Sequence, residues 1–263
     1  MRRALSLGLA VALGAALTIP GGVAAAPRRP AAGAFLLVTM DKHVWRPYEY
    51  GSAFFFNRQG EAYTASHVVE DVVRSPNVML VAVVNGMEYA ARVECWNPSR
   101  ARAGVLHRDV AIVRVGPEVP LFPLWRFRPA VRPLLAVPLP IRTGPVPAAS
   151  RVRLLGFGRS SGRPSAQRQV AGRLAGARRS ADGAEILSTR FPAYAAPADG
   201  DSGGPVLDLG GNVIGLAAWQ REIDPDTVEM DAVAASSFGC VTALPANRND
   251  LNPVDTPVTL PVH

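Results

Sequence analysis

The chain has 263 residues, a formal net charge of +7, and 48% hydrophobic against 19% charged side chains. That is ample apolar material for one folded unit, or for two tightly joined halves. Beyond residues 1–26 the arginines run from Arg28 to Arg248 without clustering in sequence. With no nucleic-acid motif beside them, they read as a solvated surface and argue against a nucleic-acid partner.

In chain order, residues 1–26 read as a secretory signal. Arg2 and Arg3 precede an apolar run from Ala4 to about Ile19, and Val23-Ala24-Ala25-Ala26 offers small residues for cleavage. The run is short and glycine-broken, so a stable membrane anchor is not expected. A secreted or periplasmic location follows. Cleavage there would leave 26 basic against 21 acidic side chains. Residues 27–33 are basic and Pro/Ala-rich and are expected to be a mobile N-terminal segment.

Strands are expected at Phe35–Met40, Ser52–Asn57 and Glu61–Ser66, the last two forming a hairpin over the turn Arg58-Gln59-Gly60. One helical turn, Val68–Val73, should follow. Asn77–Val84 and Glu88–Cys95 read as strands joined at Asn85-Gly86-Met87, and Val110–Val115 closes the first group. Gly116 to Pro147 holds nine prolines. Proline cannot donate to a sheet ladder, so this stretch reads as a connector between halves. A second strand group is expected at Arg151–Phe157, Gln167–Ala175, Glu185–Thr189, Gly204–Asp208, Asn212–Trp219, Thr227–Val233 and Phe238–Leu244. Many short strands with no long helical period point to an all-β sandwich or barrel. Residues 249–263 read as a tail.

Cys95 and Cys240 are the only cysteines. In an exported chain they are compatible with one disulfide and equally with two separate buried thiols. Without clustered histidines they do not make a zinc site, so no metal or other cofactor is expected.

The chemistry centres on Gly200-Asp201-Ser202-Gly203-Gly204-Pro205. Three glycines crowd one serine, and a serine nucleophile needs a base. Of the four histidines, His67 ends a strand at a tight turn, and Asp109 opens a very apolar strand. Alone, the first would read as structural and the second as a turn aspartate. Together with Ser202 they stand in the order His, Asp, Ser, one of the linear arrangements of a hydrolase triad. Gly200-x-Ser202-x-Gly204 also satisfies the nucleophile-elbow pattern, but that fold needs a helix after the serine and a histidine later in the chain.

Thr64-Ala65-Ser66-His67, Asp109-Val110-Ala111-Ile112-Val113 and Gly200–Pro205 resemble the three signature segments of the trypsin/chymotrypsin-like serine peptidases. Gly51-Ser52-Ala53-Phe54 and Val213–Trp219 resemble the flanking strands. The resemblance spans residues 34–248. It implies two six-stranded antiparallel β-barrels, about 34–116 and 148–248, joined by 117–147, with the active site in the cleft between them. It implies a serine endopeptidase acting on protein or peptide, with His67, Asp109 and Ser202 catalytic and an oxyanion hole at Gly200 and Ser202. A silent binding module on the same fold, or an esterase, are the alternatives. By the family pattern Ala196 lies at the base of the specificity pocket, and Ala218, Trp219 and Gln220 pair with substrate. With no acidic residue at Ala196 and with Gln220 narrowing the pocket, a small or medium apolar residue is expected before the cut. No Ile-Val-Gly-Gly activation sequence is present. Asp201, which in zymogens of the family pairs with the freed N-terminus, is therefore expected to find an arginine or backbone N–H groups instead.

Overall fold

Apolar runs and glycine turns place strands along nearly the whole of the folded region. The computed structural model describes residues 33–44, 46–98, 106–116, 128–129, 133–160, 163–164, 166–240 and 242–243. The expected signal, most of segment 27–33 and the tail 249–263 lie outside these residues. The first strand group is β1 (Ala34–Asp41), β2 (Pro47–Phe55), β3 (Glu61–Thr64), then helix α1 (Ser66–Arg74), β4 (Val78–Val84), β5 (Met87–Trp96) and β6 (Ala111–Val115). A two-residue β7 (Arg128–Pro129) runs parallel to the start of β5. The second group is β8 (Arg151–Gly156), the short pair β9 (Arg159–Ser160) and β10 (Arg163–Pro164), β11 (Arg168–Arg179), β12 (Glu185–Pro192), β13 (Pro205–Leu207), β14 (Val213–Asp224) and β15 (Thr227–Ala234). A last strand, β16, covers Thr242–Ala243.

The first group runs β5-β4-β1-β2-β3-β6, and β6 returns to pair with β5. The second closes as β11-β12-β15-β14-β13-β8. Each is a six-stranded antiparallel barrel, which leaves no open sheet edge. The expected architecture is thus the observed one.

The burial of each strand follows its sequence pattern. β4, Val-Met-Leu-Val-Ala-Val-Val, is buried at every position. Leu80 and Ala82 enter the first barrel's core, whereas Met79, Val81 and Val83 pack outward with Leu36 and Val38 of β1 and with Phe157, just past β8. A strand covered on both faces needs a continuous apolar run. β11 instead alternates, with Val170 and Leu174 inside and Gln169 and Arg173 outside. Leu155, Leu207, Val213 and Leu216 of the second barrel join the same apolar cluster as Leu37, Phe54 and Ala65 of the first. The barrels therefore share a core where they meet.

The described part of the proline-rich stretch binds both barrels by backbone hydrogen bonds. Leu139 N–H donates to Phe55 O (2.9 Å), Val213 N–H to Pro140 O (2.7 Å) and Arg142 N–H to Val213 O (2.9 Å).

Two local expectations are corrected. The single helical turn is a nine-residue helix, Ser66–Arg74. Val68, Val69 and Val72 are buried on one face of it, so tertiary packing overrides the weak helix propensity of valine. The strand expected at Phe238–Leu244 in the second group does not form as such. A 3-10 turn, Ala235–Ser237, ends β15, and the chain crosses to the first barrel, where β16 pairs with Cys95 and Trp96 of β5. Phe238 guides the crossing by packing its ring 4.7 Å from Tyr63 and 6.1 Å from Phe54. The open question of the cysteines resolves here as well: Cys95 and Cys240 form a disulfide across 145 residues.

Candidate active site

His67 sits in the first turn of α1, where backbone N–H groups have no acceptor within the helix. Asp109, just before β6, meets both needs of that residue. Its Oδ1 accepts the His67 backbone N–H at 3.0 Å, and its Oδ2 lies 2.6 Å from His67 Nδ1. One carboxylate thus caps the helix and fixes the ring, with the proton on Nδ1 and Nε2 left as acceptor. The Asp109 side chain is 0% exposed and that of His67 28%. A buried carboxylate is tolerable only with such partners. Burial by itself would lower the His67 pKa. The charge and hydrogen bond of Asp109, and then the charges of Glu49 and Glu70, outweigh it and hold the pKa above its ordinary 6.5.

The segment carrying Asp109 is held from both barrels. Asn97 Nδ2 donates to Val110 O at 3.1 Å and to Gly239 O at 2.8 Å. The β11–β12 turn docks on the stretch just before Asp109, with Arg108 N–H donating to Asp182 Oδ2 (3.0 Å) and Ala181 N–H to Leu106 O (3.3 Å).

Ser202 lies between Gly200 and Gly203, whose φ angles are +95° and +84°. Only glycine adopts these readily. A side chain at 203 would also bring its Cβ within 2.1 Å of Ser52 O, so the serine loop rests directly on the backbone of β2. Ser52, fully buried, is the fastening point. Its N–H donates to Ser202 O (2.7 Å) and its hydroxyl to Gly200 O (2.7 Å). The same hydroxyl accepts Phe157 N–H at 3.0 Å, and Ser52 O accepts the Thr64 hydroxyl at 2.8 Å. Among the described residues, the N–H groups of Gly200 and Ser202 donate to no protein acceptor, although Gly200 is buried. Buried N–H groups are rarely left so.

Asp201, 2% exposed, borders the same cleft, but its carboxylate is engaged with groups other than His67 and Ser202. It accepts Gly158 N–H and Ala198 N–H, each at 2.8 Å, and forms an ion pair with Arg168, whose Nε lies 3.3 Å from Oδ1 and whose Nη2 contacts Oδ2. Arg168 Nη2 also donates to Ala196 O at 3.1 Å. One guanidinium therefore ties both ends of the loop 196–201 to β11.

His67 and Ser202 line one cleft of about 260 Å³, walled by Pro197–Asp199, Ala217–Gln220 and Met230. The structure shows no hydrogen bond between Ser202 Oγ and His67, a bond that often tightens only with substrate. Of the residues expected to bind substrate, Ala218, Trp219 and Gln220 line the cleft, whereas Ala196 is not among the lining residues. Three residues escaped the sequence reading. Met230 stands opposite Gln220 across β14 and β15, and the alternation of β15 was the available signal. Ser52 carries no chemical signature. Arg168 was one of many arginines.

A protein-family model described as a trypsin-like peptidase domain matches residues 51–216, well over half of the chain. No curated protein matches the chain significantly. Among solved structures, the Rv3671c protease from M. tuberculosis in its active form is similar at 18% identity and a TM-score of 0.54, covering 81% of this chain and 84% of that one. The HtrA-type protease AlgW with a tripeptide is similar at 16% identity and a TM-score of 0.55, covering 78% and 57%. The serine endoprotease from Yersinia pestis is similar at 18% identity and a TM-score of 0.53, covering 80% and 61%. At these identities the likeness is one of fold.

Proposed function

Because the chain belongs to the trypsin-like peptidase family, we propose that it is an exported serine endopeptidase working through His67, Asp109 and Ser202. The observation that carries the reading is a histidine, oriented by a fully buried carboxylate, in the same cleft as a serine on a glycine-rich loop. Ser202 Oγ attacks the peptide carbonyl while His67 Nε2 takes its proton. The C–N bond then breaks as His67 returns that proton to the leaving amine, giving an acyl-enzyme that water hydrolyses by the same route. Asp109 stabilises the imidazolium between the two transfers. The N–H groups of Gly200 and Ser202, without protein acceptors, bind the developing oxyanion. The peptidase unit is residues 34–248, freed from a signal of residues 1–26 on export. Among the described residues no helix is long and apolar enough to cross a membrane.

Gln220 and Met230 face each other where the cleft receives the residue before the cut. Two long side chains there leave room for a small or medium apolar group and obstruct Arg or Lys, although Asp199 stands on the cleft wall. A fluorophosphonate probe tests the core of the reading. It should label the wild-type chain and fail on Ser202→Ala and His67→Ala; a folded wild type that stays unlabelled would reject an enzyme. On a peptide library, cleavage after Arg or Lys much faster than after Ala, Val or Leu would reject the preference.

A further inference from the structure

The arginines that look scattered in sequence meet on one wall of the second barrel. The register of three adjacent strands sets Arg151 of β8 opposite Arg173 of β11, and Arg173 opposite Arg190 of β12. All three point outward and are exposed. Directly opposed side chains in a ladder lie about 5 Å apart at Cβ, and like charges there repel. Arg190 alone of the three has a carboxylate, Glu229 on β15, 3.3 Å from its Nε. Arg151 and Arg173 form no ion pair among the described residues. Arg153, two positions along β8, adds a fourth guanidinium. Its Nη2 reaches only the carbonyls of Asp208 and Leu209, at 3.3 and 3.5 Å, and its buried Nε has no partner.

These four side chains line a groove of about 930 Å³ that also holds one carboxylate, Asp226. Leu209, 64% exposed, lies on the same groove. The groove is separate from the cleft that contains His67 and Ser202, although the strand that forms it, β12, runs on from Pro192 into the loop leading to that cleft.

We propose that this groove binds an acidic peptide segment. Guanidinium groups pair with carboxylates in fixed, often bidentate geometry, and a ligand's carboxylates would remove the repulsion along the row. Exposed Leu209, beside the row, favours a peptide over an inorganic polyanion, because it gives an apolar side chain of the ligand a surface to cover. The site takes its ligand by charge and shape without any reaction, so it holds whether or not the peptidase reading does.

The test uses the full chain carrying Ser202→Ala, so that the probe is not cut, and a fluorescein-labelled peptide of glutamates with one central leucine, read by anisotropy. Binding should weaken tenfold or more in Arg173→Glu, and also as salt is raised. Arg58→Glu, the same charge change on an exposed turn of the first barrel, should leave it within twofold. Arg173→Glu places a carboxylate between two arginines and so should not lower the melting temperature, which keeps the comparison free of unfolding. Equal losses in the two variants would mean diffuse attraction and overturn the site. Binding of inorganic polyphosphate without binding of the peptide would overturn the assignment of the ligand, and no binding of either would overturn both.

Discussion

Arg168 offers the sharpest test of how the serine loop is kept in shape. Replacing it with methionine keeps most of its length and removes the charge. Asp201 would then be a carboxylate at 2% exposure holding only the Gly158 and Ala198 N–H groups. Breaking a buried ion pair by removing one partner costs about 3–5 kcal/mol. The two remaining donors, and the 31% exposure of the Arg168 side chain, put the expectation at the lower end, about 3 kcal/mol. If the loop 196–201 absorbs this by leaving its catalytic arrangement, the competent fraction falls on the order of 10²-fold. Then kcat/KM and the fluorophosphonate labelling rate should fall together by that factor, with little change in Tm. If the whole fold absorbs it instead, Tm should drop by roughly 6–12 °C. Asp201→Asn added to Arg168→Met removes the stranded charge and should recover part of the loss. Full activity and unchanged Tm in Arg168→Met would refute the reasoning and leave Asp201 held by backbone donors alone.

Three further outcomes are expected. Ser52→Ala frees the Gly200 carbonyl and should lower kcat by about tenfold at little change in KM, since the oxyanion donors matter in the transition state; a rise in KM alone would count against it. The proposed mechanism requires neutral His67, so with its pKa raised, activity should be low below that pKa and rise as pH passes through it, on a limb above pH 6.5. Glu70→Gln removes a charge that favours the imidazolium and frees Arg74, its ion-pair partner, so both effects should move that limb to lower pH in a profile of kcat/KM. The disulfide closes a loop of 145 residues, for which chain entropy gives about 5 kcal/mol as an upper figure. Cys95→Ser with Cys240→Ser should lower the denaturant midpoint accordingly, and an unchanged midpoint would show that β16 and Phe238 hold the crossing without it.

The architecture was legible because its signals are local. Alternation, apolar runs, the turn at Asn85 (φ 52°) and the proline-rich stretch mark strands and their breaks. The pairing of His67 with Asp109 was legible only through the motifs around each residue, because 42 positions separate them and nothing between them encodes the contact. The rest is tertiary. Ser52 reaches Gly200 across 148 positions with an ordinary hydroxyl. Met230 becomes a cleft wall only through the register of β15 against β14. α1 is longer than expected because its valines gain from burial what they lose in helix propensity. The Phe238–Leu244 stretch has strand composition, and what decides its course is a set of rings on the other barrel.

The crossing at the end of the second barrel has a bearing on synthesis. Gly239 holds Asn97, which in turn holds the carbonyl beside Asp109, and Cys240 and β16 fasten to β5. The segment that secures the acid of the first half is therefore translated after the serine of the second. A nascent chain can close its first barrel early, but it emerges with the support of Asp109 unfinished until about residue 243 has appeared. Products truncated before that point would carry His67, Asp109 and Ser202 and still lack the contacts that hold the segment of Asp109 in place.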